Sequence, residues 1–120
     1  MLNLSHKKLE VWKLSMEVTE EIYKLTAVFP KEESFNLTSQ MRRAAVSVSS
    51  NLAEGASRIS TAEKKRFFEI SRSSLVELDT QIEISLRLGY LDESKTETLN
   101  SKVESVFKIL SKLISNHNDK

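Results

Sequence analysis

Residues 40–55 read QMRRAAVSVSSNLAEG, and this stretch decides the fold because two stripes run along it at helical spacing. The apolar stripe has members three or four residues apart, which places them on one helix face: Leu37, Met41, Ala44, Ala45, Val48 and Leu52. A polar stripe lies beside it and consists of Gln40, Arg43, Ser47, Asn51 and Glu54. The spacing predicts a helix over residues 37–54, ended by Gly55 in a left-handed conformation.

Three further segments carry the same periodicity, and short breaks with helix-ending chemistry separate them. Pro30 ends the first helix, Ser60 and Glu63 form a capping box before the third, Gly89 ends the third, and Asp92 caps the fourth. The predicted helices cover residues 8–28, 37–54, 61–88 and 93–115. Short breaks place successive helices side by side in opposite directions. The sequence therefore predicts an all-α, antiparallel up-and-down four-helix bundle that occupies residues 1–120 as a single domain.

The composition supports a helical fold and narrows the chemistry. The 120 residues include two glycines, one proline and no cysteine, so disulfides, thiolate zinc sites and cysteine nucleophiles are excluded. His6 and His117 are the only histidines, and neither belongs to the Glu-x-x-His motif of di-iron bundles. We therefore expect no enzyme activity, no catalytic residue, no metal, no cofactor and no small-molecule substrate.

The apolar residues are too dispersed for a membrane protein. No apolar stretch approaches the ~20 residues that span a bilayer. The first twelve residues carry Lys7, Lys8 and Glu10 and lack the apolar region of a signal peptide. We expect a cytoplasmic protein with no membrane partner.

Polar residues at positions that should be buried are the most unusual feature of the sequence. On the third helix, Ser74, Glu77 and Gln81 fall within the arc that the apolar residues define as buried. A buried carboxylate needs a partner, and the second helix offers Arg43 for Glu77. The predicted structural polar network consists of Gln40, Arg43, Ser47, Asn51, Glu54, Ser74, Glu77 and Gln81. Two interpretations stay open: the network fixes which helices pair, or it is a polar seam that binds a partner.

The first helix has a second apolar stripe, offset from the one that faces the core, and it includes Leu9, Trp12, Met16 and Tyr23. Each helix of a four-helix bundle touches two neighbours, so a wide apolar arc is expected even in a monomer. The alternative is that this stripe mediates self-association, because aromatic residues are enriched where subunits meet.

Cations cluster in the middle of a chain whose net charge is only +1. Residues 37–72 hold seven cations and three anions. Clustered cations bind phosphates through counterion release, and the candidate nucleic-acid contacts are Arg58, Lys64, Lys65, Arg66 and Arg72. Glu63 and Glu69 interrupt the cluster, so a solvated face without a ligand is the alternative interpretation.

Two motifs resemble those of a known family. Arg42-Arg43-Ala44-Ala45, followed at this spacing by Asn51-Leu52-Ala53-Glu54-Gly55, is similar to the 23S rRNA intervening sequence proteins, and Phe29-Pro30 and Leu88-Gly89-Tyr90 fit the same pattern. The resemblance extends over residues 8–115. It implies a bacterial four-helix bundle that assembles into a homopentamer. It also implies kinship with the accessory proteins of diversity-generating retroelements, which bind nucleic acid and a reverse transcriptase.

Members of this family generally lack an assigned biochemical activity. The resemblance therefore favours a non-enzymatic oligomeric scaffold or interaction module. The alternative is an RNA- or DNA-binding module that acts through a basic patch on the assembled oligomer.

Overall fold

The computed structural model describes residues 1–117, so the last three residues of the predicted domain lie outside the described part. Four α-helices form the fold: α1 (Glu10–Thr26), α2 (Leu37–Ser57), α3 (Thr61–Arg87) and α4 (Glu97–Asn116). Short 3-10 turns lie at Ser5–Lys8, Lys31–Glu33 and Glu93–Lys95, and residues 1–117 contain no β-strand. The predicted all-α, antiparallel four-helix bundle is confirmed.

The helices are arranged in chain order around the core. Helix α1 packs against α2 and α4, and α3 also packs against α2 and α4, so the diagonal pairs are α1 with α3 and α2 with α4. The apolar stripes of all four helices meet on the bundle axis. Their largest fully buried side chains are Ile22, Met41, Leu52, Leu75, Leu78, Leu99 and Leu110. No helix within residues 1–117 is both long enough and apolar enough to cross a bilayer.

The helix ends agree with the expected bounds at some positions and depart from them at others. Ser60 accepts a hydrogen bond from the backbone N–H of Glu63 at 3.0 Å, as the capping box predicts. Gly89 has a φ of +77° and follows the end of α3, where a side chain would be strained. Asp92 instead caps the 3-10 turn by accepting from the backbone N–H of Ser94. For that reason α4 begins at Glu97, four residues later than expected.

Gly55 has a different role from the expected one. The prediction that it ends α2 in a left-handed conformation is wrong, because the helix continues to Ser57 and, of the two glycines, Gly89 is the one with a positive φ. A Cβ on Gly55 would lie 2.7 Å from Cε1 of Phe68 and 3.2 Å from the carbonyl oxygen of Lys64. Glycine is therefore needed here because α3 passes too closely for any side chain.

Hydroxyl groups also join the closely packed helices. Ser71, which is fully buried, donates a hydrogen bond to the carbonyl oxygen of Val48 at 2.7 Å and so ties α3 to the backbone of α2. Ser15 and Ser49 share a hydrogen bond of 2.9 Å between α1 and α2. These small residues satisfy their own polar atoms and let the helix backbones approach one another.

We expect Gly55→Ala to destabilise the protein. Alanine gains ~1 kcal/mol over glycine inside a helix, but overpacking a filled site costs about 1–3 kcal/mol. The contacts at Gly55 are a buried ring and a backbone carbonyl, which place the cost of overpacking in the upper part of this range, about 2–3 kcal/mol. We therefore expect a net loss of ~1–2 kcal/mol in the free energy of unfolding. Urea denaturation measures this loss. Ser50→Ala, at an exposed position of the same helix, is the matched control, and a Gly55→Ala protein more stable than wild type would contradict the close approach.

Candidate interaction surfaces

A polar seam lies between α2 and α3. The hydroxyls of Ser47 and Ser74 share a hydrogen bond of 2.9 Å across the two helices. Asn51 donates to the hydroxyl of Ser47 at 3.0 Å and to its backbone carbonyl at 2.9 Å. Three of the predicted network residues are therefore connected, and they fix the register of the two helices.

The rest of the predicted network is arranged differently from the expectation. Gln40 donates to Asn36, and Glu54 accepts from Arg58, so both use neighbours near their own helix ends. Gln81 is only 5% exposed and donates weakly to Glu77 at 3.4 Å. A groove of about 500 Å³ remains along the seam, lined by Gln40, Arg43, Ala44, Ser47, Ser74 and Glu77.

The expected burial of Glu77 and its pairing with Arg43 are wrong. Glu77 is exposed, and the ion pairs within residues 1–117 do not include either side chain. The physical reason is helical geometry. Leu75 and Ile82 define the direction of the core, and two residues beyond Leu75 the helix has turned by about 200°. Glu77 therefore points to solvent, where a carboxylate needs no partner.

The basic cluster is divided between one end of the bundle and the side of α3. Arg58 pairs with Glu54 at 3.0 Å and lies over the ring of Phe67, with 4.7 Å from guanidinium to centroid. Lys64 donates to the carbonyl oxygen of Ala56 at 3.1 Å. These residues, together with Lys65 and the exposed Arg66, surround the connection between α2 and α3.

Arg72 lies two turns further along α3 than the other cations. It donates to the hydroxyl of Ser111 on α4 at 3.1 Å, and its guanidinium lies 5.8 Å from the ring centroid of Phe107. Sequence reasoning missed two other cations. Lys7 and Lys8 lie at the same end as Arg58, because the antiparallel pairing of α1 with α2 places the start of α1 beside the end of α2. The positive run before the first helix was the available signal.

The second stripe of the first helix is largely uncovered. Leu9, Met16 and Tyr23 are exposed, whereas Trp12 is half-buried and its ring meets that of His6 edge-on at 5.1 Å between centroids. The stripe continues onto α2, which sequence analysis did not foresee. Met16, Tyr23 and Val46 are 40%, 44% and 43% exposed. We call this surface the α1–α2 face, and its members are Leu9, Trp12, Met16, Tyr23, Arg42 and Val46.

Arg42 is held in place on the α1–α2 face. Its Nε donates to the hydroxyl of the buried Thr26 at 2.9 Å, and its Nη2 donates to the carbonyl oxygen of Tyr23 at 3.3 Å. Its guanidinium lies 4.6 Å from the centroid of the Tyr23 ring. An aromatic ring and a cation are thus fixed side by side.

A groove on the other side of the bundle has no counterpart in the sequence analysis. It separates α3 from α4 and has a volume of about 500 Å³. Its wall mixes apolar side chains with carboxylates: Leu75, Val76, Asp79, Glu83, Asn100, Val103, Glu104 and Phe107. Val76 and Phe107 are 50% and 41% exposed. We call it the α3–α4 groove.

Two titratable groups close seams of the bundle. Lys102 of α4 binds Glu21 at 2.8 Å and Glu17 at 3.2 Å, both on α1, and these contacts raise the pKa of Lys102. Tyr90 donates its phenolic hydrogen to Glu33 at 3.0 Å, and this bond, with partial burial, raises the pKa of Tyr90 above its ordinary value of 10.0. No cluster of side chains suited to hold a metal ion occurs within residues 1–117.

The fold and surfaces define an antiparallel four-helix bundle, and comparison assigns the chain to a family. The family model of the 23S rRNA-intervening sequence protein matches residues 7–112, and the chain belongs to this family. It is similar to a crystal structure of a protein with unknown function from the S23 ribosomal protein family of Bacteroides thetaiotaomicron VPI-5482. The TM-score is 0.77 at 22% identity, and the match covers 87% of this chain and 97% of that chain. This likeness establishes the fold. No curated protein matches the chain.

The polar seam can be tested by a double-mutant cycle. We expect Ser47→Ala and Ser74→Ala to be coupled by about 0.5–1.5 kcal/mol, the usual net contribution of one hydrogen bond. Glu77→Gln is the matched control on the same seam, and its effect should stay within ~0.5 kcal/mol because the side chain is exposed. Unfolding in urea is measured for the wild type, the two single serine variants, the double variant and Glu77→Gln. Strictly additive serine variants, or a strongly destabilised Glu77→Gln protein, would contradict this assignment.

Proposed function

We propose that the protein is a non-enzymatic, self-assembling scaffold that associates through the α1–α2 face. The exposed apolar row on this face carries the proposal. Met16, Tyr23 and Val46 remain about two-fifths exposed although each neighbours buried core positions. Large contiguous apolar patches are uncommon on monomers, and exposed apolar side chains on one face indicate a candidate site of association.

The composition of the α1–α2 face also supports a subunit contact. Tyr, Trp, Met and Arg are the residue types enriched in interface cores, and all four occur here. The hydrogen bonds of Arg42 to Thr26 and to the carbonyl oxygen of Tyr23 already fix the geometry of its side chain. A preformed side-chain pair loses little conformational entropy when a partner binds.

The number of subunits in the proposal comes from the family. The resemblance to the 23S rRNA intervening sequence proteins favours a homopentamer. A bundle 46 Å long and 23 Å across in its thinnest direction can present one lateral face to a neighbour along much of its length. The contact would then repeat around a closed ring.

Self-association can be tested by placing a charge on the face. We expect Met16→Glu to shift wild-type oligomers toward monomers, because an unpaired carboxylate in an apolar interface costs several kcal/mol of association free energy. Light scattering coupled to size-exclusion chromatography gives the mass. Ile84→Glu is the matched control, since Ile84 is equally exposed, at 42%, on the outer side of α3. A wild-type protein that is strictly monomeric at tens of micromolar would remove the proposal.

The second candidate function is binding of RNA or DNA, and the cations at one end of the bundle favour it. Lys7 and Lys8 lie at the same end as Arg58, Lys64, Lys65 and Arg66. Several subunits would present several such ends, and multivalency strengthens weak phosphate contacts.

Salt dependence tests the nucleic-acid candidate. For duplex DNA, each phosphate that the protein neutralises adds about 0.9 to the steepness with which log affinity falls against log salt. We expect Lys65→Gln/Arg66→Gln to reduce the slope of log affinity against log salt by the contribution of about two phosphates per bound subunit. Lys108→Gln, an exposed lysine on α4, is the control and should leave it unchanged. Binding that is absent at ~50 mM salt, or that ignores salt, would exclude phosphate recognition.

A further inference from the structure

The α3–α4 groove combines an apolar floor with an acidic rim. Leu75 and Val103 are buried at its base, and Val76 and Phe107 expose apolar surface at its sides. Asp79, Glu83 and Glu104 supply three carboxylates. Asp79 and Glu83 take part in no ion pair within residues 1–117, and Glu104 has only a loose, solvent-exposed contact with Lys108 at 3.7 Å.

The neighbouring guanidinium offsets only part of this rim. Arg72 lies over the Phe107 ring and donates to Ser111 of α4, and within residues 1–117 it forms no ion pair with the three carboxylates. The groove therefore keeps an excess of negative charge around an apolar cleft. Its chemical complement is an apolar or aromatic side chain that carries a cation next to it.

We propose that the α3–α4 groove receives the Tyr23–Arg42 edge of the α1–α2 face of a second copy of this chain. This inference rests on the proposed self-assembly and names the surface to which the α1–α2 face binds. The Tyr23 ring would fill the cleft between Val76 and Phe107, and the Arg42 guanidinium would meet Asp79 and Glu83. Tyrosine and arginine are the residue types that most often dominate interface energies.

The geometry of the bundle makes this contact intermolecular. The α1–α2 face and the α3–α4 groove lie on opposite sides of the bundle, because α1 and α2 are neighbours and α3 and α4 are the other pair. One chain cannot fill its own groove, and each copy offers one face and one groove. The resulting contact is head-to-tail, which generates rings or filaments.

A face-to-face dimer fits the charges less well. Two α1–α2 faces would bring Arg42 of both copies into one interface without the groove carboxylates as partners. Like charges in one interface are costly, whereas the head-to-tail contact pairs opposite charges. The charge pattern therefore selects the groove as the partner surface.

Mixing two variants distinguishes these arrangements. The face variant is Arg42→Glu, and the groove variant is Asp79→Lys/Glu83→Lys. Each alone should self-associate at least ~10-fold more weakly than wild type, because each has one damaged surface. In an equimolar mixture, the intact face of the groove variant should bind the intact groove of the face variant. We expect a 1:1 complex that grows no further, measured by light scattering or sedimentation velocity.

Matched controls separate charge from contact. Lys31→Glu, in the turn after α1, and Glu77→Lys, on the α2–α3 seam, reverse one charge of each sign at exposed positions that belong to neither surface, and they should leave the mass of the wild-type assembly unchanged. Arg42 also bonds Thr26 within its own chain. Tyr23→Glu therefore serves as a second face variant, and circular dichroism with thermal melting verifies that every variant is folded.

The outcomes separate this inference from the proposed function. A monomeric wild type overturns both. A wild-type oligomer whose mass survives the groove substitutions overturns the groove contact and leaves self-assembly standing. A groove variant that still forms dimers through its intact face, or a mixture of folded variants that gives no 1:1 complex, also overturns the head-to-tail contact.

Discussion

The bundle depends on the close approach of α2 and α3. Where Gly55 meets Phe68, the two helices are so near that a single methyl group would collide. Half-way along, the hydroxyl of Ser71 bonds directly to the backbone of α2. These contacts set the register of α2 and α3 and orient their apolar stripes toward α1 and α4. The other three seams can then close, the one between α1 and α4 with the ion pair of Lys102 with Glu21.

The helices and the core were predictable because both follow from spacing. Apolar residues repeated every three or four positions identify the buried stripes of α1, α2, α3 and α4, and nearly all of those stripes are buried. The helix ends were less predictable, because a Gly55 that allows close approach and a Gly89 that ends a helix look alike in a sequence. Only the position of Phe68 on another helix distinguishes them, and that is a tertiary contact.

The surfaces were predictable only where one helix supplies all the residues. The stripe of Leu9, Met16 and Tyr23 is visible in the sequence, whereas its extension by Val46 and Arg42 needs the pairing of α1 with α2. The α3–α4 groove is composite in the same sense. Glu77 shows a different limit. The buried arc predicted for α3 was too wide and wrongly included Glu77. A charged side chain at the edge of an apolar stripe turns easily to solvent.

The bond between Tyr90 and Glu33 has a thermodynamic consequence. The carboxylate of Glu33 also accepts a hydrogen bond from the first backbone N–H of α2. This single side chain therefore links the connection between α1 and α2 to the connection between α3 and α4 at one end of the molecule. Because the folded chain holds the phenolic proton more tightly than an unfolded chain would, folding and protonation are linked. The stabilisation is complete below pH 10.0, the ordinary titration point of tyrosine, and it declines as alkali removes that proton. Strong base should therefore loosen this end of the molecule through Tyr90.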